Sequence, residues 1–189
     1  MRAIHPQSIL TVVVSVAAAL LLACAATAQQ NQVPEEAKRL NEQAGRYGAS
    51  GRYQDAIDLL EKVLAQAPKF ADAYNNLSAA YIGIGEYSKA VSSSEHAIAL
   101  EPKNGAYQGT LGLAYYKMND LDHAIGAFKK ATGLGDSRAE TYSVLGNSYL
   151  KKGMTDQAIG AYKKALELDP SLTGARNNLR RAEDLKKNQ

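Results

Sequence analysis

Residues 141–170, TYSVLGNSYLKKGMTDQAIGAYKKALELDP, decide the fold of this chain. The stretch contains two successive helical patterns, in which apolar and small side chains recur at spacings of three and four and so share one helix face. Gly153 separates the two patterns, and Pro170 ends the second because proline has no backbone N–H to continue the helix. The residues that carry the patterns are Tyr142, Leu145, Gly146, Tyr149, Ala158, Tyr162 and Ala165.

The same pattern recurs upstream with a period of 34 residues. Its three ladders are Tyr47, Tyr81, Tyr115 and Tyr149; Ala56, Ala90, Ala124 and Ala158; and Pro68, Pro102, Asp136 and Pro170. A fixed period in this range marks a repeat protein, in which each unit buries its apolar face only against its neighbours. The sequence therefore predicts an all-α array of paired helices.

A ladder of small residues explains how the two helices of a unit approach each other. Ala44, Ser78, Gly112 and Gly146 occupy one position of the first helix in successive units. Helix axes come within about 8–10 Å of each other only where the side chains at the contact allow it. We therefore expect these positions to face the second helix of the same unit.

With these ladders the sequence resembles the tetratricopeptide repeat (TPR) family, whose pattern is nearly intact in residues 142–170. The resemblance implies a right-handed superhelical solenoid of four helix-turn-helix repeats, at about residues 37–70, 71–104, 105–138 and 139–172, within residues 35–170. A capping helix is expected over residues 171–189. Two positions depart from the family pattern: Gln43 replaces leucine in the first unit, and Gln108 replaces an aromatic residue in the third.

The third unit also lacks the proline that ends the other second helices. Asp136 stands at that rung, after Gly133 and Gly135. Because glycine weakens a helix, the junction between the third and fourth units is expected to be the weakest point of the array.

The N-terminus has the pattern of an export signal. Residues 9–28 carry no charge, Arg2 precedes them, and Ala26-Thr27-Ala28 offers a small-x-small cleavage site. We predict a signal peptide over residues 1–28, followed by a polar linker over residues 29–34. Two alternatives remain: lipidation of Cys24, since residues 21–24 resemble a bacterial lipobox, and an uncleaved membrane anchor.

Composition and motifs favour no enzymatic or nucleic-acid function. The 22 basic and 19 acidic residues are spread without long runs of one sign, and the lone cysteine cannot form an internal disulfide or a zinc cluster. His96 and His123 lie on second helices of different units without ligands at metal-binding spacing. We therefore expect no cofactor, no metal, no small-molecule substrate and no enzyme activity.

The TPR resemblance implies that the first helices line a concave groove for a peptide or a partner helix. The groove residues it indicates are Asn75, Asn76, Ile82, Thr110, Leu113, Tyr116, Val144, Asn147, Leu150 and Asn178, with Asn41, Gly45, Asp72, Ala79 and Arg181 beside them. Asparagine can pair with a peptide backbone as donor and acceptor. The apolar members equally fit a second interpretation, in which they complete the core between repeats.

One TPR subtype is excluded by its missing cations. Some members clamp a chaperone's terminal carboxylate with two lysines, two asparagines and an arginine. The corresponding positions here are Asn41, Gly45, Asn76, Ala106 and Thr110, of which only Asn76 matches. The charge-assisted donors for that carboxylate are absent.

The sequence thus predicts a non-enzymatic scaffold that binds a protein or peptide partner and is periplasmic or secreted. The alternative is an envelope lipoprotein, acylated at Cys24, that scaffolds an outer-membrane or pilus-type assembly. In either case the membrane is contacted only through the leader or the Cys24 lipid.

Overall fold

The computed structural model describes residues 33–188, and the helices within them confirm the predicted all-α superhelix. Residues 1–32, with the predicted leader and Cys24, lie outside this range. No helix among the described residues is both long and apolar enough to cross a membrane. The helices are α1 (Glu35–Ala49), α2 (Tyr53–Gln66), α3 (Ala71–Ile84), α4 (Tyr87–Leu100), α5 (Gly105–Lys117), α6 (Leu121–Gly133), α7 (Ala139–Lys151), α8 (Thr155–Leu168) and α9 (Thr173–Lys187).

The helices form two rows with different spacing. Helices α1, α3, α5 and α7 each contact their partner in the repeat and also the next odd-numbered helix along the chain. Within the described part of the chain, the even-numbered helices α2, α4, α6 and α8 make no such contacts with one another. The odd-numbered row is therefore the tighter one, so the array curves with these helices on its concave side.

The tyrosine ladder occupies equivalent places in the four repeats. At the end of each first helix, the tyrosine carbonyl accepts the backbone N–H five residues later, at 2.9 Å in every case. The residue before each donor has a positive φ: Gly51, Gly85, Asn119 and Gly153. This is the left-handed turn that commonly ends a helix, and it sets the chain direction into the second helix.

In the second, third and fourth repeats the small-residue ladder faces the second helix, as expected. A Cβ placed on Gly112 would lie 2.7 Å from the Phe128 ring, and one on Gly146 would lie 2.6 Å from the Tyr162 ring. In the second repeat the pair is polar, because Ser78 Oγ donates to the Ala90 carbonyl and lies 2.7 Å from Ser94 Oγ. The third and fourth repeats therefore match glycine to a buried ring, which lets the helices pack closely.

A side-chain network closes the junction between the third and fourth repeats. Gly135 ends α6 in a left-handed turn with φ +88°, and the Asp136 N–H donates to the Ala131 carbonyl at 2.9 Å. The Asp136 carboxylate then accepts from Arg138 Nη2 at 2.6 Å and from Thr141 Oγ1 at 2.9 Å. The two glycines and the missing proline predict a weak junction here. The sequence pattern does not show that Arg138 and Thr141 hydrogen-bond to the Asp136 carboxylate.

The network also reaches the neighbouring repeat and controls the charge of Asp136. Arg138 Nη2 donates to the Ala106 carbonyl of α5 at 3.1 Å. Burial alone would raise the pKa of Asp136, but the hydrogen bonds from Arg138 and Thr141 outweigh it and lower this pKa. The carboxylate therefore stays ionised and keeps its donors at neutral pH.

The close approach at Gly146 predicts opposite effects for two glycine-to-alanine changes. Gly146→Ala should lower the free energy of unfolding by about 1–3 kcal/mol, because the new methyl group meets the buried Tyr162 ring. Gly160→Ala in α8 has no atom within 4 Å of its new Cβ and should stabilise by about 0.5–1 kcal/mol. Urea unfolding of both variants measures the difference; a stabilising Gly146→Ala would contradict the packing described above.

The Asp136 network predicts a pH-dependent stability. At pH 7, Asp136→Asn should cost about 1–3 kcal/mol, since it removes charge-assisted hydrogen bonds from a buried carboxylate. Because the folded pKa is lowered, this contribution exists above the unfolded pKa of about 4 and is lost as pH falls through the folded value. The difference in the free energy of unfolding between Asp136→Asn and the parent protein, measured by urea unfolding, should therefore become smaller below about pH 4.

The control is Asp156→Asn, which removes an exposed carboxylate paired with Lys186. Exposed ion pairs contribute about 0–1 kcal/mol, so this variant should melt close to the parent. Equal losses in the two variants, or a difference for Asp136→Asn that stays constant down to pH 3, would contradict the role given to the network.

Candidate functional site

The concave row of helices carries two depressions. The central depression, of about 250 Å³, lies between α5 and α7 and is lined by Gly109, Thr110, Leu113, Phe128, Arg138, Glu140, Thr141 and Val144. The C-terminal cleft, of about 280 Å³, is lined by Tyr116, Asn147, Leu150, Lys151, Tyr162, Asn178 and Arg181. Both depressions are open to solvent on the first-helix side of the array.

Seven of the ten predicted groove residues line these depressions. Thr110, Leu113 and Val144 lie in the central depression, whereas Tyr116, Asn147, Leu150 and Asn178 lie in the C-terminal cleft. Their binding role stays a prediction, but their placement on one surface follows from the fold.

The other three predicted residues, in the second repeat, line neither depression. The Asn76 side-chain amide donates to Asn41 Oδ1 at 2.9 Å and so links α3 to α1. The Oδ1 atom of Asn75 is buried without a hydrogen-bond partner among the described residues. Ile82 is half-buried on the same helix.

The apolar groove residues serve the core and the surface together. Leu113, Tyr116 and Val144 are half-buried and pack against the cluster that includes Phe128 and Leu145. Leu150 packs in the same way against the next cluster, formed around Tyr162. The two interpretations of the sequence therefore both hold in part: one side of each residue completes the core, and the rest lines a depression.

A hydrogen-bonded pair of asparagines crosses from the fourth repeat to the last helix. Asn147 Oδ1 accepts from the Tyr162 hydroxyl at 2.8 Å and from Asn178 Nδ2 at 2.8 Å. Burial raises the pKa of Tyr162 to about 12, so its hydroxyl remains a donor at neutral pH. These two bonds fix the orientation of Asn147 at the floor of the C-terminal cleft.

Two cations stand at the rim of this cleft. Lys151 Nζ lies 4.6 Å from the centre of the Tyr116 ring and 3.4 Å from Asn119 Oδ1. Arg181 is exposed on α9 and forms no salt bridge within the described residues. The cleft therefore combines an aromatic ring, amide donors and positive charge.

Three family models described as tetratricopeptide repeat match residues 49–92, 106–134 and 139–172. Together they span more than half of the 189 residues; the matches to 106–134 and 139–172 follow the helix pairs α5–α6 and α7–α8, whereas the match to 49–92 covers α2 and α3 and ends within α4. The chain is a tetratricopeptide repeat protein. No curated protein matches the sequence.

Solved TPR structures are similar over most of the chain. A thermophilic TPR protein of Thermus thermophilus is 26% identical, with a TM-score of 0.69, over 79% of this chain and 82% of that one. MamA is 26% identical, with a TM-score of 0.67, over 76% and 84%. The Sgt2 TPR domain from Aspergillus fumigatus is 26% identical, with a TM-score of 0.61, over 66% and 83%. The TPR fold supports a role as a protein-interaction scaffold.

Sequence reasoning missed residues that shape this TPR surface. Lys151 and Tyr162 line the C-terminal cleft but were not among the predicted groove residues. The sequence did offer one indication of a charged cleft. Arg181 stands 34 residues after Asn147, so the last helix carries a cation where the fourth repeat carries an amide.

Tyr107 is a third missed residue, adjacent to the unusual Gln108. Its buried hydroxyl donates to Asp72 Oδ1 at 2.6 Å and thereby joins the second and third repeats. Burial, together with Asp72, raises the pKa of Tyr107, so it stays a donor. The Asp72 carboxylate is thus engaged by the repeat next to it.

His96 and His123 pack against tyrosine rings. His96 stacks on Tyr74 with ring centres 5.1 Å apart, and His123 stacks on Tyr115 at 5.0 Å. No group of three or more potential metal ligands occurs within residues 33–188.

A wider hollow of about 810 Å³ lies between residues 101–106 and 134–138. Asp136 and Arg138 both line it, and they are already hydrogen-bonded to each other.

Proposed function

We propose that this TPR protein is an exported interaction scaffold that binds a peptide, or the helix of a partner protein, across its concave surface. The observation that carries the proposal is the pair of open depressions, which lie side by side on the first helices. Their volumes of about 250 and 280 Å³ fall below the roughly 300–1,000 Å³ of pockets that enclose small-molecule ligands. They suit single side chains of an elongated ligand better than a cofactor.

The chemistry of the surface supports the same ligand class. The half-buried side chains Leu113, Val144 and Leu150 offer apolar contact, which supplies most of the affinity in such complexes. Amides at Asn147 and Asn178 offer hydrogen bonds at fixed positions. Because these groups are held by the core, binding costs little ordering of the scaffold itself.

Export is the second part of the proposal, and it rests on the leader alone. An uncharged segment before a small-x-small site is typical of a cleaved signal peptide, which would deliver the repeats to the periplasm or the exterior. Lipidation at Cys24 would instead leave the scaffold on an envelope membrane, where it could serve an outer-membrane or pilus-type assembly.

Substitutions on the concave surface should remove the partner. Leu113→Glu and Tyr116→Glu each place a charge in the apolar contact region and should reduce recovery of crosslinked partners in cells at least about tenfold, since a buried unpaired charge opposes binding. Leu168→Glu is the matched control, because Leu168 is exposed on α8 and lines neither depression. Thermal melting checks that the variants fold.

Leu113 also packs on the core, so Leu113→Ala provides a milder version of the same test if the glutamate variant melts too low. Partners recovered equally with the parent and with the folded concave variants would place the binding surface elsewhere. Loss of partners in Leu168→Glu alone would point to the second-helix side.

The processed form should identify the anchoring mode. Intact-mass measurement of the protein from its native envelope should give a chain that begins at Gln29, as expected for cleavage after Ala28. A chain that begins at an acylated Cys24 would support the lipoprotein alternative, and an intact leader would support a membrane anchor.

A further inference from the structure

The C-terminal cleft is lined by two positively charged side chains, Lys151 and Arg181, whose role the proposed function does not explain. We propose that it binds the side-chain carboxylate of an aspartate or glutamate in the peptide whose apolar side chain occupies the central depression. This inference rests on the proposed function and names the chemistry of its ligand. The occupant is therefore an acidic peptide segment of a partner protein.

The charges that surround the cleft favour an anion. Its lining includes Lys151 and Arg181 but no carboxylate. Other lysines on neighbouring helices are paired, Lys152 with Asp122 and Lys186 with Asp156. Within the described residues, neither cation of the cleft has an acidic partner, so their positive potential remains available to a ligand.

The hydrogen bonds of the cleft leave donors rather than acceptors. Asn147 Oδ1 is occupied twice, by Tyr162 and Asn178. The amide nitrogen of Asn147 makes no hydrogen bond within the described part of the chain, so it remains a donor at the floor of the cleft. Amide N–H groups beside a guanidinium and an ammonium are the donor set that a carboxylate accepts.

Lys151 is held in place before any ligand binds. Its ammonium group rests over the Tyr116 ring at 4.6 Å and near Asn119 Oδ1 at 3.4 Å. A cation placed over an aromatic face is attracted by the ring and loses part of its side-chain freedom. Less entropy is then lost when a carboxylate arrives, which distinguishes this lysine from a freely moving surface side chain.

The spacing of the two depressions predicts the spacing of the peptide's anchors. Val144 and Asn147, and likewise Leu113 and Tyr116, are three residues apart on their helices, so the step between the depressions is about 4.5 Å along the helix at 1.5 Å per residue. An extended peptide advances about 3.3 Å per residue. The acidic residue should therefore lie about one or two residues from the apolar anchor.

The test begins with selection of peptides by the full-length protein. The probe is a displayed library of random 12-residue peptides fused through their carboxyl ends, so that only side chains supply carboxylates. We expect enriched sequences to carry an aspartate or glutamate one or two residues from a large apolar residue. The best peptide is then made synthetically with an amidated end, together with its Glu→Gln (or Asp→Asn) version, and measured by fluorescence anisotropy.

Variants of the cleft assign the carboxylate to its donors. Arg181→Gln and Lys151→Gln should each lower the affinity for the acidic peptide about tenfold. The affinity for the amide version should stay within twofold of the value for the parent protein. Arg180→Gln is the matched control, because it removes the same charge from the adjacent position of α9 without touching the cleft. Raising the salt concentration from about 50 to about 500 mM should weaken binding of the acidic peptide only, since salt screens the attraction between its carboxylate and the two cations.

Each outcome separates the two proposals. Apolar peptides without acidic enrichment, or acidic peptides whose affinity survives Arg181→Gln and Lys151→Gln, would overturn the carboxylate site and leave the concave scaffold standing. A requirement for a free carboxyl terminus, found by comparing amidated and free-acid peptides, would also overturn it in favour of chain-end capture. Peptides that bind Leu113→Ala as well as the parent would refute the concave scaffold itself.

Discussion

The structure depends on the contact between a small residue of each first helix and the second helix behind it. In the third and fourth repeats the contact is a glycine under a buried ring, Gly112 with Phe128 and Gly146 with Tyr162. Close packing of this kind fixes the distance between the helices, because interiors leave no room for an added methyl group. It also fixes the Tyr162 hydroxyl, which then holds Asn147 on the opposite, concave side. The constraint inside a repeat is thus transmitted to the surface that we propose binds the partner.

The left-handed turns relate this local constraint to the curvature of the array. Each first helix ends at an equivalent tyrosine carbonyl, so each second helix starts with the same displacement. The third repeat uses Asn119 with φ 61° where the others use glycine, which is tolerable because asparagine enters this region more readily than most residues. The same Asn119 side chain lies near Lys151 of the following repeat. A residue that ends one helix therefore also positions a cation of the cleft.

Much of this architecture could be predicted from the sequence, and the reason is its repetition. Periodic tyrosines, alanines and prolines specify where helices lie and which faces they bury, because those choices are local and are made four times over. Departures from the period were harder to interpret. Asp136 in place of proline suggested a weak junction, whereas the fold brings Arg138 and Thr141 to its carboxylate. Gln108 drew attention to a missing aromatic residue, while the adjacent Tyr107 makes the contact with Asp72.

The sequence by itself determined the repeat unit, the all-α class and the residues on each helix face, since helical spacing and helix-ending residues act over short distances. Only the tertiary structure decided which faces of different repeats meet. Lys151 over Tyr116 and Asn178 bonded to Asn147 join residues more than thirty positions apart, and their distances depend on how each repeat is rotated against the last. That rotation is set by the fit of whole side chains at the helix contacts, which a pattern of residue types does not contain.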